Sequence, residues 1–149
     1  MEKTDKYKDI KFRHVMPIQL RFNDLDRLGH VNNAVYFSFY DLAKTHYFTD
    51  VFGTIDWEEH VTIIASLHSD FYAPIFFNEK IAVETAVVEI GNKSFKLLQR
   101  GVNTETGEVK CSCETVMVGY NLKTLQAEPI PQEWKDAFCT YEGRDLLRK

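Results

Sequence analysis

The sequence predicts an α+β domain that combines one long helix with a five-stranded antiparallel sheet, in the order β-α-β-β-β-β, and adds a short C-terminal helix. One long aromatic-rich segment has the length of a helix, and four alternating segments follow it without a helical segment between them. A parallel sheet would need a crossover helix between most strands, so this grouping favours antiparallel pairing. The 149 residues suffice for one core, and we predict a single domain over residues 1–149 in which residues 1–11 are frayed.

A short strand and a polar loop open the domain. The strand is predicted from four apolar residues that alternate with other residue types: Met16, Ile18, Leu20 and Phe22. It is expected to end at Asn23. The loop that follows contains Gly29, which permits backbone conformations that other residues resist. Its polar side chains are concentrated in a short stretch: Asp24, Asp26, His30, Asn32 and Asn33.

The long helix is predicted from Ala34 to about Asp50. Asn32 or Asn33 is its expected N-cap, since a short amide side chain can bond the unpaired N–H groups of the first turn. Aromatic residues occupy more than one stripe of the segment, so we expect the helix to be largely enclosed. Three charged residues mark the side that can meet water or a partner: Asp41, Lys44 and Asp50. The N-terminus of the helix should face the acidic loop.

The four remaining strands are predicted from alternating segments separated by turn signals. An irregular link, residues 53–60, precedes them. Their expected ranges are 61–69, 81–90, 94–103 and 109–120. Pro74 should end or bend the chain after the first of them, because proline cannot donate to a strand ladder. One face of that strand is expected to carry Val61, Ile63, Ala65, Leu67 and Ser69.

The end of the chain combines the last strand with the short helix, residues 131–138, which has Pro131 at its first turn. One face of the strand is expected to carry Val109, Cys111, Cys113, Thr115 and Met117. Because three cysteines cannot all pair within one chain, we interpret Cys111, Cys113 and Cys139 as reduced, partly buried thiols. A C-x-C pair without a second cysteine pair or a nearby histidine lacks the four ligands of structural zinc, so no metal site is expected.

Composition and charge exclude several classes of partner. A formal net charge of −4 provides no basic surface for nucleic acid. The sequence has no apolar run of the ~18 residues that predict a membrane span. Its first residues are charged and lack the apolar centre of a secretory signal. We therefore expect a cytoplasmic protein whose partner is a small molecule or another protein.

Eight residues of the loop and helix match the signature of one family. The motif D-x-D-x-x-G-H-V-N-N-x-x-Y is formed by Asp24, Asp26, Gly29, His30, Val31, Asn32, Asn33 and Tyr36. It resembles the 4-hydroxybenzoyl-CoA thioesterase-like branch of the hotdog-fold superfamily, and the likeness continues through the later strands to the final helix. The resemblance implies a long helix wrapped by an antiparallel sheet and hydrolysis of acyl-CoA thioesters without a metal or other cofactor. It also implies a homodimer or a homotetramer built as a dimer of dimers.

The resemblance places the catalytic carboxylate at Asp26. A carboxylate can attack a thioester carbonyl directly or act as a general base on water, and the sequence leaves both routes open. By itself, an aspartate in such a loop more often caps a turn. Asn33 is the second catalytic candidate, because a main-chain N–H at a helix N-terminus stabilises negative charge on the carbonyl oxygen. Asp24 is assigned to a turn or to an ion pair with Arg21 or Arg27.

Four residues are predicted to bind substrate: His30, Tyr36, Lys93 and Ser94. Lys93 and Ser94 lie in the predicted hairpin, where the resembling family contacts the pantetheine and nucleotide parts of CoA, often from the neighbouring subunit. Lysine suits flexible phosphate contacts, and a solvated turn is the alternative. His30 has a structural alternative as well, in which it holds the loop by hydrogen bonds.

Two reserve candidates complete the predicted site. Asp41 on the helix and His68 on the second strand are placed to line a pocket, although solvation or an ion pair with Lys44 is the simpler role for Asp41. We predict an acyl-CoA thioesterase; the alternatives are a non-catalytic acyl-CoA-binding or regulatory module, an acyl-ACP thioesterase and a dehydratase. Plant acyl-ACP thioesterases carry Asn where this chain has Leu28 and join two such units in one longer chain, which disfavours that assignment.

Overall fold

The fold is organised around one helix, α1 (Asn33–Phe52), in a computed structural model that describes residues 9–53 and 60–148. Asn32 caps the helix, because its side-chain oxygen accepts the N–H of Ala34 at 2.9 Å. The helix ends at Gly53, whose φ of 70° suits glycine. The predicted helix and one of its two predicted caps are therefore confirmed.

Only one face of α1 is buried. Its buried residues recur at the three- and four-residue spacing of a single stripe: Tyr36, Phe39, Tyr40, Ala43, Tyr47 and Phe48. Phe37 and Leu42, on the other side, are 39% and 47% exposed. The expectation that α1 is largely enclosed is therefore wrong for the single chain, because its aromatic residues do not all point to the core. Asp41 and Asp50 lie on the exposed side, as expected.

The sheet is antiparallel throughout, with the strand order β1-β3-β4-β5-β2. Its strands are β1 (His14–Ile18), β2 (His60–Phe71), β3 (Ile81–Ile90), β4 (Ser94–Asn103), β5 (Val109–Asn121) and β6 (Gln126–Ala127). The five predicted strands are confirmed, and β6 adds a two-residue strand beside β5. Helix α1 packs against β3 and β1, whereas β2 is an edge strand hydrogen-bonded to β5.

The first strand is shorter than predicted. It ends at Ile18, and Phe22–Asp24 form a 3-10 turn instead of its last residues. The reason is local: the carboxylate of Asp24 accepts the N–H of Arg21 at 2.8 Å and so closes a turn that interrupts the strand. Phe22 consequently lies 79% exposed, and its expected place on a buried strand face is wrong.

Strand β2 contains a register shift between Ile64 and Ser66 opposite β5. The bulge moves Ile64, paired with Met117, onto the face that also carries Leu67 and Ser69. The prediction that Val61, Ile63 and Ala65 share one face with Leu67 and Ser69 is therefore wrong across the bulge. By contrast, the predicted face of β5 is confirmed, because four of its five residues are buried: Cys111, Cys113, Thr115 and Met117.

The core has two parts, one at each half of α1. The first surrounds the N-terminal half of the helix and includes Tyr36, Phe39, Tyr40, Ile75 and Cys111. The second surrounds the C-terminal half, where α2 (Gln132–Glu142) packs back on the helix and sheet. It includes Tyr47, Phe48, Phe95, Leu97 and Phe138. The predicted short helix is confirmed and continues beyond its predicted end.

Residues 1–8 of the segment predicted to be frayed and residues 54–59 of the predicted link lie outside the described residues. Within residues 9–53 and 60–148, no helix is long and apolar enough to cross a membrane. Cys111, Cys113 and Cys139 form no disulfide, as predicted; the first two are buried and the third is half-buried.

Candidate active site

A cavity of about 380 Å³ opens at the N-terminus of α1. One wall comes from the polar loop and the first turn of the helix: Asp26, Leu28, His30, Val31, Asn33 and Tyr36. The opposite wall is formed by the end of β2 and the residues after it: Phe71, Tyr72, Ala73 and Pro74. Four of the predicted site residues therefore meet in one cavity, namely Asp26, His30, Asn33 and Tyr36.

Asp26 both shapes the loop and faces the cavity. Its Oδ1 accepts the N–H of Leu28 at 2.8 Å and the N–H of His30 at 3.2 Å, which is a turn-capping arrangement. Its own N–H donates to the carbonyl oxygen of His30 at 2.7 Å. Oδ2 has no hydrogen-bond partner among the described residues. One carboxylate oxygen thus fixes the loop, while the other can accept a proton or attack a carbonyl carbon.

Asn33 presents a main-chain donor at the start of α1. It is the first helical residue, and the cap provided by Asn32 is used by Ala34. The N–H of Asn33 itself has no acceptor in the described part of the chain. First-turn N–H groups lack intrahelical partners and lie at the positive end of the helix dipole. A residue that lines the cavity therefore carries a donor, without an acceptor among the described residues, that is suited to a developing negative charge.

Asp24, the other acid of the motif, is structural. It is 1% exposed, its carboxylate accepts the N–H and the guanidinium of Arg21, and its carbonyl oxygen accepts the N–H of Asn32 at 2.8 Å. The predicted ion pair with Arg21 is confirmed. Asp24 therefore joins the turn before the loop to the cap of α1.

Aromatic rings line the interior of the cavity. Tyr36 is 3% exposed and its ring meets that of Phe71 edge to face, with 4.9 Å between centroids. Burial, together with the nearby Cys111 thiol, raises the pKa of Tyr36 to about 12. Its hydroxyl is therefore neutral at physiological pH. The ring of His30 packs at 4.9 Å on Phe76, whose backbone bridges to His30.

Two predicted CoA-binding residues lie elsewhere in the same chain. Lys93 is exposed in the turn between β3 and β4, and Ser94 begins β4. Ser94 lines a second cavity of about 200 Å³ together with Lys96 and Arg148. The structure does not bring Lys93 or Ser94 to the cavity that contains Asp26.

The two reserve candidates are also outside the cavity. Asp41 lies on the exposed side of α1 and pairs with Lys44 at 3.1 Å, which is the simpler role considered for it. His68 lies on the outer face of β2, opposite Glu114, and its Nε2 is 3.2 Å from Asp70. Within residues 9–53 and 60–148, no group of three or more His, Cys, Asp or Glu side chains is arranged to hold a metal ion.

The opposite wall of the cavity is the part that the sequence did not predict. The end of β2 was recognised from Pro74, but nothing local joins residues 71–74 to the acidic loop. Long-range contacts make the link: the N–H of Val31 donates to the carbonyl oxygen of Ile75 at 2.9 Å, and the backbone of His30 bridges to that of Phe76. The aromatic residues around Pro74 were a compositional signal for this wall.

A family model described as the thioesterase-like superfamily matches residues 20–138. The chain belongs to this superfamily. The match covers the loop, α1 and the whole sheet after β1. It confirms the predicted family and identifies the chain as a thioester hydrolase built on the predicted fold.

Two solved structures resemble the chain over most of its length, and a curated relative resembles it over a shorter stretch. The PA5185 protein of Pseudomonas aeruginosa strain PAO1 is 27% identical, with a TM-score of 0.78 over 92% of this chain and 95% of that one. A thioesterase from Thermus thermophilus, solved with coenzyme A and zinc, is 29% identical, with a TM-score of 0.75 over 87% and 94%. The acyl-CoA thioester hydrolase YbgC of Escherichia coli is 26% identical over 94 residues, 60% of this chain and 69% of that protein.

Proposed function

We propose that this thioesterase hydrolyses acyl-CoA thioesters in the cavity at the N-terminus of α1, with Asp26 as the catalytic carboxylate. One observation carries the proposal: Asp26 and Asn33 line the same cavity, and within residues 9–53 and 60–148 neither Oδ2 of Asp26 nor the N–H of Asn33 has a hydrogen-bond partner. The named activity of YbgC and the coenzyme A bound to the Thermus relative support a CoA thioester as the substrate class.

Two routes use the same groups. In the first, Oδ2 of Asp26 attacks the thioester carbonyl carbon, CoA leaves as a thiolate and takes up a proton, and water then hydrolyses the mixed anhydride. In the second, Asp26 takes a proton from water while that water attacks the carbonyl, and the proton passes to the departing thiolate. Both routes place negative charge on the carbonyl oxygen.

The N–H of Asn33 is the proposed donor to that oxygen. Its position at the first residue of α1 adds the helix dipole to the hydrogen bond. Loss of a comparable donor in hydrolases costs roughly 2.7–4 kcal/mol of transition-state stabilisation. The side chain of Asn33 is exposed and therefore contributes less than its main chain to this role.

The acyl group is placed between the helix and the sheet. Tyr36 from α1 and Phe71 from β2 contribute aromatic rings to the cavity lining, and these rings are in contact. A ring or short chain bound there would lie beside Asp26. His30 and Tyr36 are the proposed substrate contacts in the same chain, as the sequence predicted.

A second copy of the chain is the proposed partner. Strand β2 is an edge strand of 12 residues, and on its inner face Ile64 and Leu67 are 43% and 39% exposed. An uncovered edge with apolar side chains favours pairing with another chain. In a homodimer, or a dimer of dimers, Lys93 and Ser94 of the neighbouring subunit would bind the CoA moiety.

Sedimentation equilibrium tests this assembly. It should give at least twice the monomer mass, and a monomer at tens of micromolar would contradict the assembly.

Free-thiol release from short, long and aromatic acyl-CoAs tests the function. We expect turnover by the wild type, turnover by Asp41→Asn, and loss of turnover by Asp26→Asn with acyl-CoA binding retained. Asp41→Asn is the matched control, because it removes an exposed carboxylate outside the cavity. Saturable binding without hydrolysis by the wild type would indicate a binding module. Activity restricted to acyl-ACP would move the substrate class to the carrier protein.

A further inference from the structure

Lys110 on β5 is a buried cation whose three donors are all used. Its side chain is 7% exposed. Its Nζ donates to Glu79 at 2.9 Å, to Glu108 at 2.9 Å and to the carbonyl oxygen of Pro74 at 3.2 Å. Ion pairs this deeply buried cost desolvation and are weak evidence for stability by themselves. Stability alone therefore does not explain the buried contacts of Lys110.

Glu79 is the second member of the pair and is 14% exposed. Its Oε1 accepts the N–H of Phe76 at 3.0 Å, and its Oε2 accepts the amide of Asn103 at 2.9 Å. Burial alone would raise the pKa of Glu79, but the hydrogen bonds from Asn103, Phe76 and Lys110 outweigh it and lower the pKa. The carboxylate is thus ionised when it binds Lys110.

The pair holds the chain that forms the second wall of the cavity. Besides the bonds to Pro74 and Phe76, the carbonyl oxygen of Lys110 accepts the N–H of Tyr72 at 2.8 Å and that of Ala73 at 3.2 Å. The charged side chains therefore bond the backbone of Pro74 and Phe76, and the main chain of Lys110 bonds that of Tyr72 and Ala73. Residues 72–74 line the cavity directly.

The same segment is joined to the catalytic loop. Ile75, within it, is fully buried and its carbonyl oxygen accepts the N–H of Val31, while Phe76 bridges to His30. His30 in turn bonds Asp26 through two backbone contacts. A continuous set of short hydrogen bonds therefore runs from the Lys110–Glu79 pair to the catalytic carboxylate.

We propose that Lys110 and Glu79 are positioning residues: their buried ion pair holds residues 72–76 at a fixed distance from Asp26 and so determines which acyl groups fit productively. A displacement of about 1 Å in such a wall is enough to change a rate by about 100-fold. The catalytic half of this proposal, the effect on acyl-group preference, rests on the proposed function. The structural half, the placement of residues 72–76 by the ion pair, does not depend on that function.

Hydrogen–deuterium exchange of the full-length protein tests the structural half. The variant is Glu79→Gln, and the matched control is Glu108→Gln, which also removes a carboxylate bound to Lys110 but one that forms no hydrogen bond or ion pair with residues 72–76 in the described structure. We expect the amides of Tyr72, Phe76 and Val31 to exchange at least ~10-fold faster in Glu79→Gln and less than ~2-fold faster in the control. Equal exchange in both variants, or a uniform rise across the chain, would overturn the proposal.

A second variant covers a failure of Glu79→Gln to fold. Lys110→Arg keeps the charge and the ion pair, but a planar guanidinium cannot reproduce three bonds from one tetrahedral nitrogen. We expect the same regional increase in exchange around residues 72–76 with global stability retained. Unchanged exchange in this folded variant would also contradict the role of Lys110.

The catalytic half is tested by substrate preference. The ratio of kcat/KM for benzoyl-CoA to that for acetyl-CoA should change by about 10-fold in Glu79→Gln and stay constant in Glu108→Gln, because the wall contacts the acyl group. A proportional loss for both substrates would indicate a purely structural pair. If the wild type hydrolyses no acyl-CoA, the proposed function fails, while the exchange experiment still decides the placement of the wall.

Discussion

The two ends of α1 have opposite properties. At the N-terminus, Asn33 and Asp26 line a cavity of about 380 Å³, and the N–H of Asn33 and one carboxylate oxygen of Asp26 have no partner among the described residues. At the C-terminus, Tyr47 is fully buried, and its hydroxyl donates to Glu142 at 2.6 Å and accepts the N–H of Val87 at 3.1 Å. Within the described residues, the N-terminal end of α1 thus has polar groups without hydrogen-bond partners, whereas the hydroxyl of Tyr47 at the packed C-terminal end is fully hydrogen-bonded.

The packed end is built from aromatic contacts. The ring of Phe138 lies 4.8 Å from that of Phe95 and 5.0 Å from that of Phe52, measured between centroids, and its side chain is fully buried. Such clusters contribute through apolar area and ring geometry and leave no polar group for chemistry. The C-terminal end of α1 therefore serves packing, and the N-terminal end is the proposed place of catalysis.

Among the variants that test this difference between the two ends of α1, Phe138→Ala is expected to have the largest effect on stability. Removal of a fully buried ring leaves a cavity, and we expect a loss of about 3–5 kcal/mol in the free energy of unfolding. The value of kcat, measured well below the unfolding transition, should stay within about twofold, because the residue is remote from Asp26. Denaturant unfolding and thiol release on the same preparations check this. A fall in kcat that matches the loss of stability would contradict the view that the two ends of α1 act independently.

A smaller effect is expected from His14, the exception within the packed end. His14 is 7% exposed, its Nε2 is 3.0 Å from Asp50, and its Nδ1 is buried without a hydrogen-bond partner among the described residues. Burial lowers the pKa of His14 from its ordinary value of 6.5, and Asp50 offsets only part of this shift. Its ring also packs on Tyr47 with 5.6 Å between centroids.

This shift gives stability a defined dependence on pH. Because the unfolded chain binds the proton at a higher pH than the folded chain, the contribution of neutral His14 is complete above pH 6.5 and is lost as pH falls through the folded value. The free energy of unfolding should fall by at most ~1.4 kcal/mol per pH unit in that range. His14→Gln should reduce the slope, because it removes the group whose pKa is lowered on folding. Equal slopes in the wild type and His14→Gln would contradict the assignment.

Local patterns predicted most of the fold and half of the site. The span of α1, β3, β4 and the buried face of β5 follow from residue spacing, which needs no knowledge of distant contacts. The acidic loop was recognised because its motif is contiguous. Phe22 was misplaced because the interaction that ends β1, between Asp24 and the N–H of Arg21, competes with strand pairing and has no signature in hydrophobic periodicity.

The contacts that the sequence could not predict are long-range. The Lys110–Glu79 pair joins residues 31 positions apart, and the bond from Val31 to Ile75 is formed only when two loops meet. The neighbouring residues in the sequence do not distinguish Lys110 or Glu79 from a charged residue that is exposed to solvent. The bulge in β2 likewise depends on its register with β5. Burial and partner choice at these positions are properties of the assembled sheet.

The most direct measurement is thiol release by Asp26→Asn beside its denaturant unfolding curve. The Asn side chain keeps an oxygen that can accept the N–H groups of Leu28 and His30, so the loop retains its capping bonds. We predict that kcat falls by about 1,000-fold or more, while the free energy of unfolding changes by less than ~0.5 kcal/mol. Near-native turnover, or a loss of activity explained by unfolding, would contradict the assignment of catalysis to this end of α1.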